Sequence, residues 1–213
     1  MLQHASMGKM RLELALKRVL DVVGSAVLLA FLAPLMAMIL VLVKRTSPGP
    51  AIFCQTRAGL LGKPFTIYKF RTMVVGAGTM GAGLYMVQDD PRITRVGRLL
   101  RTYSLDELPE LWNVLNGDMS LVGPRPTLLY QVEMYDATQR LRLSVRPGIT
   151  GLAQVEGRNE LRWSERIKLD LKYIDGWSLV SDIRILLRTV GVVVTRAGVR
   201  QDQSREEIED LGR

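Results

Sequence analysis

The chain has 213 residues, a length that suits one ordinary domain with its own core and excludes two large ones. Its formal net charge of +8 favours anionic partners such as nucleic acid, anionic lipid head groups or a phosphorylated substrate, and 47% hydrophobic residues exclude intrinsic disorder. A single histidine, His4, and a single cysteine, Cys54, exclude Ser-His-Asp and Cys-His nucleophile systems, multi-histidine metal sites and an intrachain disulfide. His4 falls in an N-terminal stretch expected to be disordered. Cys54, beside Ile52 and Phe53, is expected to be a buried, inert thiol. Charge chemistry must then come from Asp, Glu, Arg, Lys and a hard metal ion.

From Val22 to Val43 no residue is charged, with Asp21 just before and Lys44-Arg45 just after. About 20 apolar residues carry a helix across the hydrocarbon layer, so this segment belongs in a membrane, and its length argues against a signal peptide. Pro34 lies past the middle, where it deletes a backbone hydrogen bond and bends a helix. Basic residues stand on both sides (Lys9, Arg11, Lys17 and Arg18; Lys44, Arg45, Arg57 and Lys63), whereas a single span has one basic flank. Two readings follow: a helix broken at Pro34 that returns to the same face, and a kinked helix that crosses.

Pro48-Gly49-Pro50 is a stiff exit, and the β-prone runs Ala51–Gln55 and Phe65–Phe70 around Gly59-Leu60-Leu61-Gly62 predict a β-hairpin. Gly76 to Gly83 is a glycine-rich loop with the character of a lid. Its G-x-G-x-x-G match, Gly76 to Gly81, is not a dinucleotide site, because Asp89-Asp90-Pro91 interrupts the helix such a site needs. Helices are expected over Leu111–Leu115, stopped by Gly117, over Leu128–Arg140, and around Trp163, Ile167, Leu171 and Ile174. Ile183–Val194 has apolar residues at helical spacing beside Arg184 and Arg188, which fits a helix in the lipid interface or a core helix. A polar, mobile tail is expected from Arg196 on.

The segment from Arg98 to Pro109 is the densest in charge pattern. Ser104 and Glu107 have capping-box spacing and Pro109 suits a first helical position, so Asp106 and Glu107 fall at a helix N-terminus that also receives phosphate. Alone they would merely cap a helix. Arg98 and Arg101 precede them, however, and Pro124-Arg125-Pro126 and Gly157-Arg158-Asn159 present further arginines on stiff turns, suited to bidentate phosphate binding. Adjacent carboxylates suit Mg²⁺, which takes one or two protein carboxylates together with substrate phosphates. The residues thus describe a membrane-bound site for a diphosphate, with a carboxylate available as nucleophile. A membrane-tethered basic nucleic-acid binder is the alternative from another class, but no zinc spacing or clear recognition helix supports it.

The strings Lys69-Phe70-Arg71-Thr72-Met73, Ser104-Leu105-Asp106-Glu107-Leu108-Pro109, Gly117-Asp118-Met119-Ser120-Leu121-Val122-Gly123-Pro124-Arg125-Pro126 and Arg146-Pro147-Gly148-Ile149-Thr150-Gly151-Leu152-Ala153-Gln154-Val155-Glu156-Gly157-Arg158-Asn159 closely resemble the bacterial sugar transferases, the monotopic polyprenyl-phosphate phosphoglycosyltransferases, in their small form. The likeness runs from about Leu14 to Thr195. It implies transfer of a sugar-1-phosphate from a UDP-sugar to undecaprenyl phosphate with release of UMP and use of Mg²⁺, as the first membrane step of glycoconjugate assembly. Asp106 matches the family's nucleophile and Glu107 its dyad partner, the two together being the metal-binding carboxylates. Arg101 matches a phosphate-binding arginine, Arg158 one that contacts the uridine nucleotide, and Arg125 lies in the Pro-Arg-Pro turn. Lys69, Arg71, Gln154 and Asn159 complete the substrate-binding set within the shared strings.

The resemblance also implies a re-entrant membrane helix broken at Pro34 and a catalytic domain on the cytoplasmic face of the bacterial inner membrane. The expected fold class is therefore α+β and mostly helical: an N-terminal re-entrant helix hairpin over 1–46, a small β-hairpin and cytosolic helical catalytic domain with interfacial amphipathic helices over 47–195, and a tail over 196–213. Expected partners are the UDP-sugar, undecaprenyl phosphate and membrane lipid, not nucleic acid, with a homo-oligomer left open. Ala33-Pro34 replaces the Ser-Pro frequent in relatives, Gly76–Gly83 is unusually glycine-rich, and Glu110 stands where glutamine is usual.

Overall fold

The computed structural model describes residues 2–80, 87, 89–195 and 210–211. One long helix, α1 (Leu2–Thr46), leads into the hairpin β1 (Ile52–Ala58) and β2 (Pro64–Phe70), antiparallel with Ile52 opposite Phe70 and Ala58 opposite Pro64. Short helices follow: α2 (Arg95–Thr102), α3 (Glu110–Asn116), α4 (Leu129–Glu133), α5 (Ala137–Arg140) and α6 (Leu152–Glu156). Two longer ones close the domain, α7 (Trp163–Asp175) and α8 (Leu179–Thr195). A second sheet, not expected from the sequence, pairs β3 (Ser120–Val122) in parallel with β4 (Gly148–Thr150).

The helix α1 starts at Leu2, so His4 is helical and not in a disordered stretch. The helix continues through Pro34, described as one helix and not two; Pro34 still withholds the N–H that the Ala30 carbonyl would otherwise accept. From Met10 to Thr46 it is long and apolar enough to cross a membrane. Both of its halves nevertheless pack on the same domain. Near the start, Lys17 donates to the Val122 carbonyl (3.0 Å) and pairs with Asp182 (2.6 Å), while Arg18 donates to the Val114 and Leu115 carbonyls, which cap the end of α3. Asp21 accepts from Ser120 Oγ and the Leu121 N–H. Near the end, Ile39 and Val43 are buried against Ala51, Phe70 and Leu100. Val19, Val23, Val27 and Phe31, four residues apart, point outward.

The hairpin forms as expected, turning through Leu60–Gly62, and α3 stops at Gly117, which adopts the left-handed conformation (φ 91°). The helix expected over Leu128–Arg140 is instead two, α4 and α5: Asp136 accepts from the Gln139 N–H (2.7 Å) and starts a new helix after a break at Met134-Tyr135. Cys54 is exposed, not buried, because its strand belongs to a two-stranded sheet. On α7, Trp163 and Ile167 are buried. On α8, Ile185 is buried whereas Val180, Ile183, Leu187, Val190 and Val194 form an exposed apolar stripe at helical spacing. Of the tail, only Asp210 and Leu211 are described; they are anchored by Ser164 and Gln139, so at that point the chain is docked. The Gly81–Gly83 part of the glycine-rich loop lies outside the described residues.

Candidate active site

Among the segments that line one cavity of about 1330 Å³ are the end of β2, the 3-10 turn Leu105–Glu107 ahead of α3, α2, the Pro124-Arg125-Pro126 turn after β3, and the α6 region. Asp106 and Glu107 sit on that turn, which Ser104 enters with φ 55°. The expected capping box does not form. The Glu107 carboxylate is drawn instead to two cations, Lys69 at 2.7 Å and Arg125 at 2.5 Å, both on Oε1. Such charge-assisted bonds are about twice as strong as a neutral cap, so they win.

The two adjacent carboxylates therefore have opposite characters. Burial pushes Glu107 up, but Arg125 and Lys69 together outweigh it and hold the group well below the usual carboxylate range. Asp106, by contrast, takes no hydrogen bond from another described residue, and burial followed by the charge of Glu107 raises its pKa. One carboxylate is committed to positioning cations; the other is held ready in their field.

The arginines have separate duties. Arg101 lies in the cavity wall with Nε donating to Thr72 Oγ1 (2.8 Å). Arg158 donates to Ser104 Oγ and so reaches the turn that carries Asp106. Arg71 lines the cavity, yet its guanidinium is engaged by the Ser47 carbonyl and hydroxyl (2.8 and 2.9 Å) and the Pro48 carbonyl, which fixes the chain where it leaves α1. Arg98 stays outside, paired on the surface with Asp89 at 3.1 Å. Gln154 lines the cavity with both amide atoms buried and without a hydrogen-bond partner among the described residues. The Asn159 side chain lies outside the described residues.

One further participant escaped the sequence, and a second was visible there only as a departure from the usual residue. Arg57 of β1 lines the cavity, and burial followed by repulsion from Arg125 lowers its pKa to about 10. Holding two guanidiniums in mutual repulsion makes sense where an anion is to be received. The signal was the period-two alternation of β1, which sets Arg57 on the same face as Gln55. Glu110, on the first turn of α3, is 1% exposed and pairs with Lys69 at 3.0 Å. Lys69, Arg57, Arg101, Arg125 and Arg158 thus gather around the Asp106-Glu107 pair, a cationic surrounding suited to an anion such as a phosphate. That convergence on a cavity is unlike the exposed basic stripe of a nucleic-acid binder.

Burial, only partly offset by Lys69, raises Glu110 to about 7 from its ordinary 4.5. The unfolded chain releases this proton near its ordinary value while the folded chain holds it, so stability falls as pH rises between those two values, by on the order of 3 kcal/mol. Glu110→Gln is expected to flatten the dependence of unfolding free energy on pH across that window and to exceed the wild type above it. Parallel pH profiles in urea titrations would refute the assignment.

The carboxylate pair fits Mg²⁺ bound jointly with phosphate oxygens: Asp106 has no hydrogen-bond donor among the described residues, and with Lys69 and Arg125 both on Oε1, Glu107 keeps Oε2 for another ligand. It does not make a closed protein cage, since no group of three metal-ligating side chains occurs among the described residues.

Residues 12–196 match the family described as bacterial sugar transferase. The chain is 49% identical over 189 residues to the UDP-glucose:undecaprenyl-phosphate glucose-1-phosphate transferase of Caulobacter vibrioides, covering 84% of this chain and 70% of that protein. It is 44% identical over 199 residues to the galactosyl transferase CpsE of Streptococcus agalactiae, covering 88% of this chain and 44% of that protein, so it spans less than half the length of that relative. The uncharacterized sugar transferase EpsL of Bacillus subtilis, 43% identical over 186 residues, is covered over 91% of its length and 87% of this chain. The residues that line the charged cavity all lie within the matched span, and the chain belongs to the bacterial sugar transferase family.

Proposed function

We propose that this protein transfers a sugar-1-phosphate from a UDP-sugar to undecaprenyl phosphate, with release of UMP, through a phosphoryl ester on Asp106. The observation that carries the reading is the unequal dyad: Glu107 is bound by two cations while Asp106 is open to the cavity and surrounded by arginines. Attack by a carboxylate on a diphosphate brings anion to anion, and Arg57, Arg101, Arg125 and Arg158 offset that repulsion. An Asp106 oxygen bonds to the sugar-bearing phosphorus as its bond to the UMP oxygen breaks, giving an acyl phosphate. An oxygen of the lipid phosphate then attacks the same phosphorus and releases Asp106, leaving a diphosphate-linked sugar lipid. That attacking oxygen is already ionised, which suits a cavity without histidine. Mg²⁺ held by Asp106 and Glu107 would supply Lewis-acid charge neutralisation and a template for the phosphates.

The membrane helix supports the same reading. Lys17 and Val43 both touch the catalytic domain, yet a straight helix would separate them by roughly 39 Å, more than the ~30 Å hydrocarbon layer. A helix that enters and returns to one face, bent at Pro34, reconciles apolar length with those contacts. The outward stripe of α8 adds an interfacial helix, and the site then lies at head-group level on the cytoplasmic side, where both substrates meet. The test is UMP release across a panel of UDP-sugars with undecaprenyl phosphate and Mg²⁺. One sugar should release about one equivalent of UMP per enzyme without lipid phosphate, and continue beyond that equivalent only when undecaprenyl phosphate is present. No release from any of them overturns the proposal.

A further inference from the structure

The cavity is larger than the roughly 300–1,000 Å³ usual for one small ligand, and much of its lining is apolar. That lining includes Leu28 and Leu32 of α1 and, around Thr189, Leu186, Val192 and Val193 of α8. We propose that this seam between α1 and α8 seats the first isoprene units of the polyprenyl phosphate acceptor, which enters sideways from the bilayer. This inference rests on the transferase reading above and names where its second substrate lies.

Three observations carry it. The two helices are joined at one end by the Lys17–Asp182 ion pair, which Tyr173 and Trp177 reinforce from α7 and the following turn. Leu28 and Val193 each lie about 16 Å along their helices from that pair, so the seam has a tied end and opposed apolar walls beyond it. The α8 wall is also fixed in place, by the Thr150–Thr189 hydroxyl bond (2.7 Å) to β4 and by Arg188 on Glu156 (2.7 Å). Finally, each helix is apolar on its outer side as well, through Phe31 and Val27 on α1 and Leu187 and Val190 on α8. A tail passing between them leaves lipid for lipid-like walls and meets the cationic pocket at its phosphate end.

Because bilayer lipid is as apolar as leucine, the seam adds little to the tail's partitioning. Its contribution is alignment of the phosphate with Asp106, so the effect belongs in the second half-reaction. The enzyme in nanodiscs is loaded with a UDP-sugar labelled in the sugar-bearing phosphate and then discharged with undecaprenyl phosphate. Leu28→Asn and Val193→Asn are expected to load at the wild-type rate and to discharge at least about tenfold more slowly at fixed acceptor. Wild-type discharge by both variants overturns the seam. Failure of the wild type to load at all counts against the transferase reading instead, and a second measurement still decides the seam. Farnesyl phosphate carrying a diazirine on its second isoprene is expected to label the segments around 28–32 and 186–193 of unmodified protein. Labelling confined to the outward residues Ile183, Leu187 and Val190, or equal labelling of the seam by a diazirine phospholipid, overturns it.

Discussion

Asp106→Asn is expected to abolish turnover, with UMP release falling by on the order of 10⁴-fold or more, the scale on which losing a covalent nucleophile is felt. The amide keeps the shape of the side chain but cannot bond to phosphorus and depart again. Folding should survive: Asp106 accepts no hydrogen bond from another described residue, and its removal relieves a carboxylate that burial already disfavours. The decisive readout is label from the sugar-bearing phosphate, which should attach to the wild-type chain and never to the variant. Product formation without any protein-bound label would mean that the lipid attacks the donor directly. Glu107→Gln is the instructive contrast. It keeps an amide oxygen that can accept from Lys69 and Arg125 but removes the charge that holds them, leaving both cations less restrained, so its deficit should appear in donor KM as well as in kcat.

How far the sequence could be read depends on the range over which each feature is determined. The hairpin was legible because its strands and its Gly59–Gly62 turn are neighbours in the chain. The stop at Gly117 was legible because a left-handed residue after a helix selects glycine locally. The β3–β4 pair was not, since each strand has three residues and their meeting depends on a distant close approach. A Cβ on Gly148 would stand 2.1 Å from the Gly123 nitrogen, so glycine is required by a partner elsewhere in the chain. Among site residues, Asp106, Glu107, Arg101, Arg125 and Arg158 converge as the charge pattern suggested. Composition could not tell an arginine that faces substrate from one that braces the backbone. Arg71 binds Ser47 and Pro48, while Arg57, read only as a flank of the membrane segment, stands in the cavity. Glu110 was visible as a departure, but its consequence needed the burial and the Lys69 contact.

Gly97→Ala is expected to destabilise the protein strongly, although helix propensity argues the other way. Gly97 lies inside α2, where alanine normally stabilises by about 1 kcal/mol. Here a Cβ would stand 2.0 Å from the Thr72 carbonyl oxygen and 2.6 Å from its carbon, both backbone atoms that no rotamer change can move aside. The carbonyl is itself held by the Thr94 N–H at 3.0 Å, so relief requires α2 to lift from the chain after β2. Overpacking against a fixed backbone belongs at the upper end of its usual range, on the order of 3 kcal/mol, which lowers Tm by about 6–12 °C in a domain of this size. Function is coupled to the same contact, because Thr72 Oγ1 accepts from Arg101 Nε, and displacing α2 carries that arginine away from the dyad. Gly191→Ala supplies the opposite sign: this position in α8 has no atom of the described residues within 4 Å of an added Cβ, so propensity alone should act and stability should rise. Thermal unfolding of both variants in one nanodisc preparation checks the pair. A Gly97→Ala protein that melts at or above the wild-type temperature would show that α2 does not rest on Thr72.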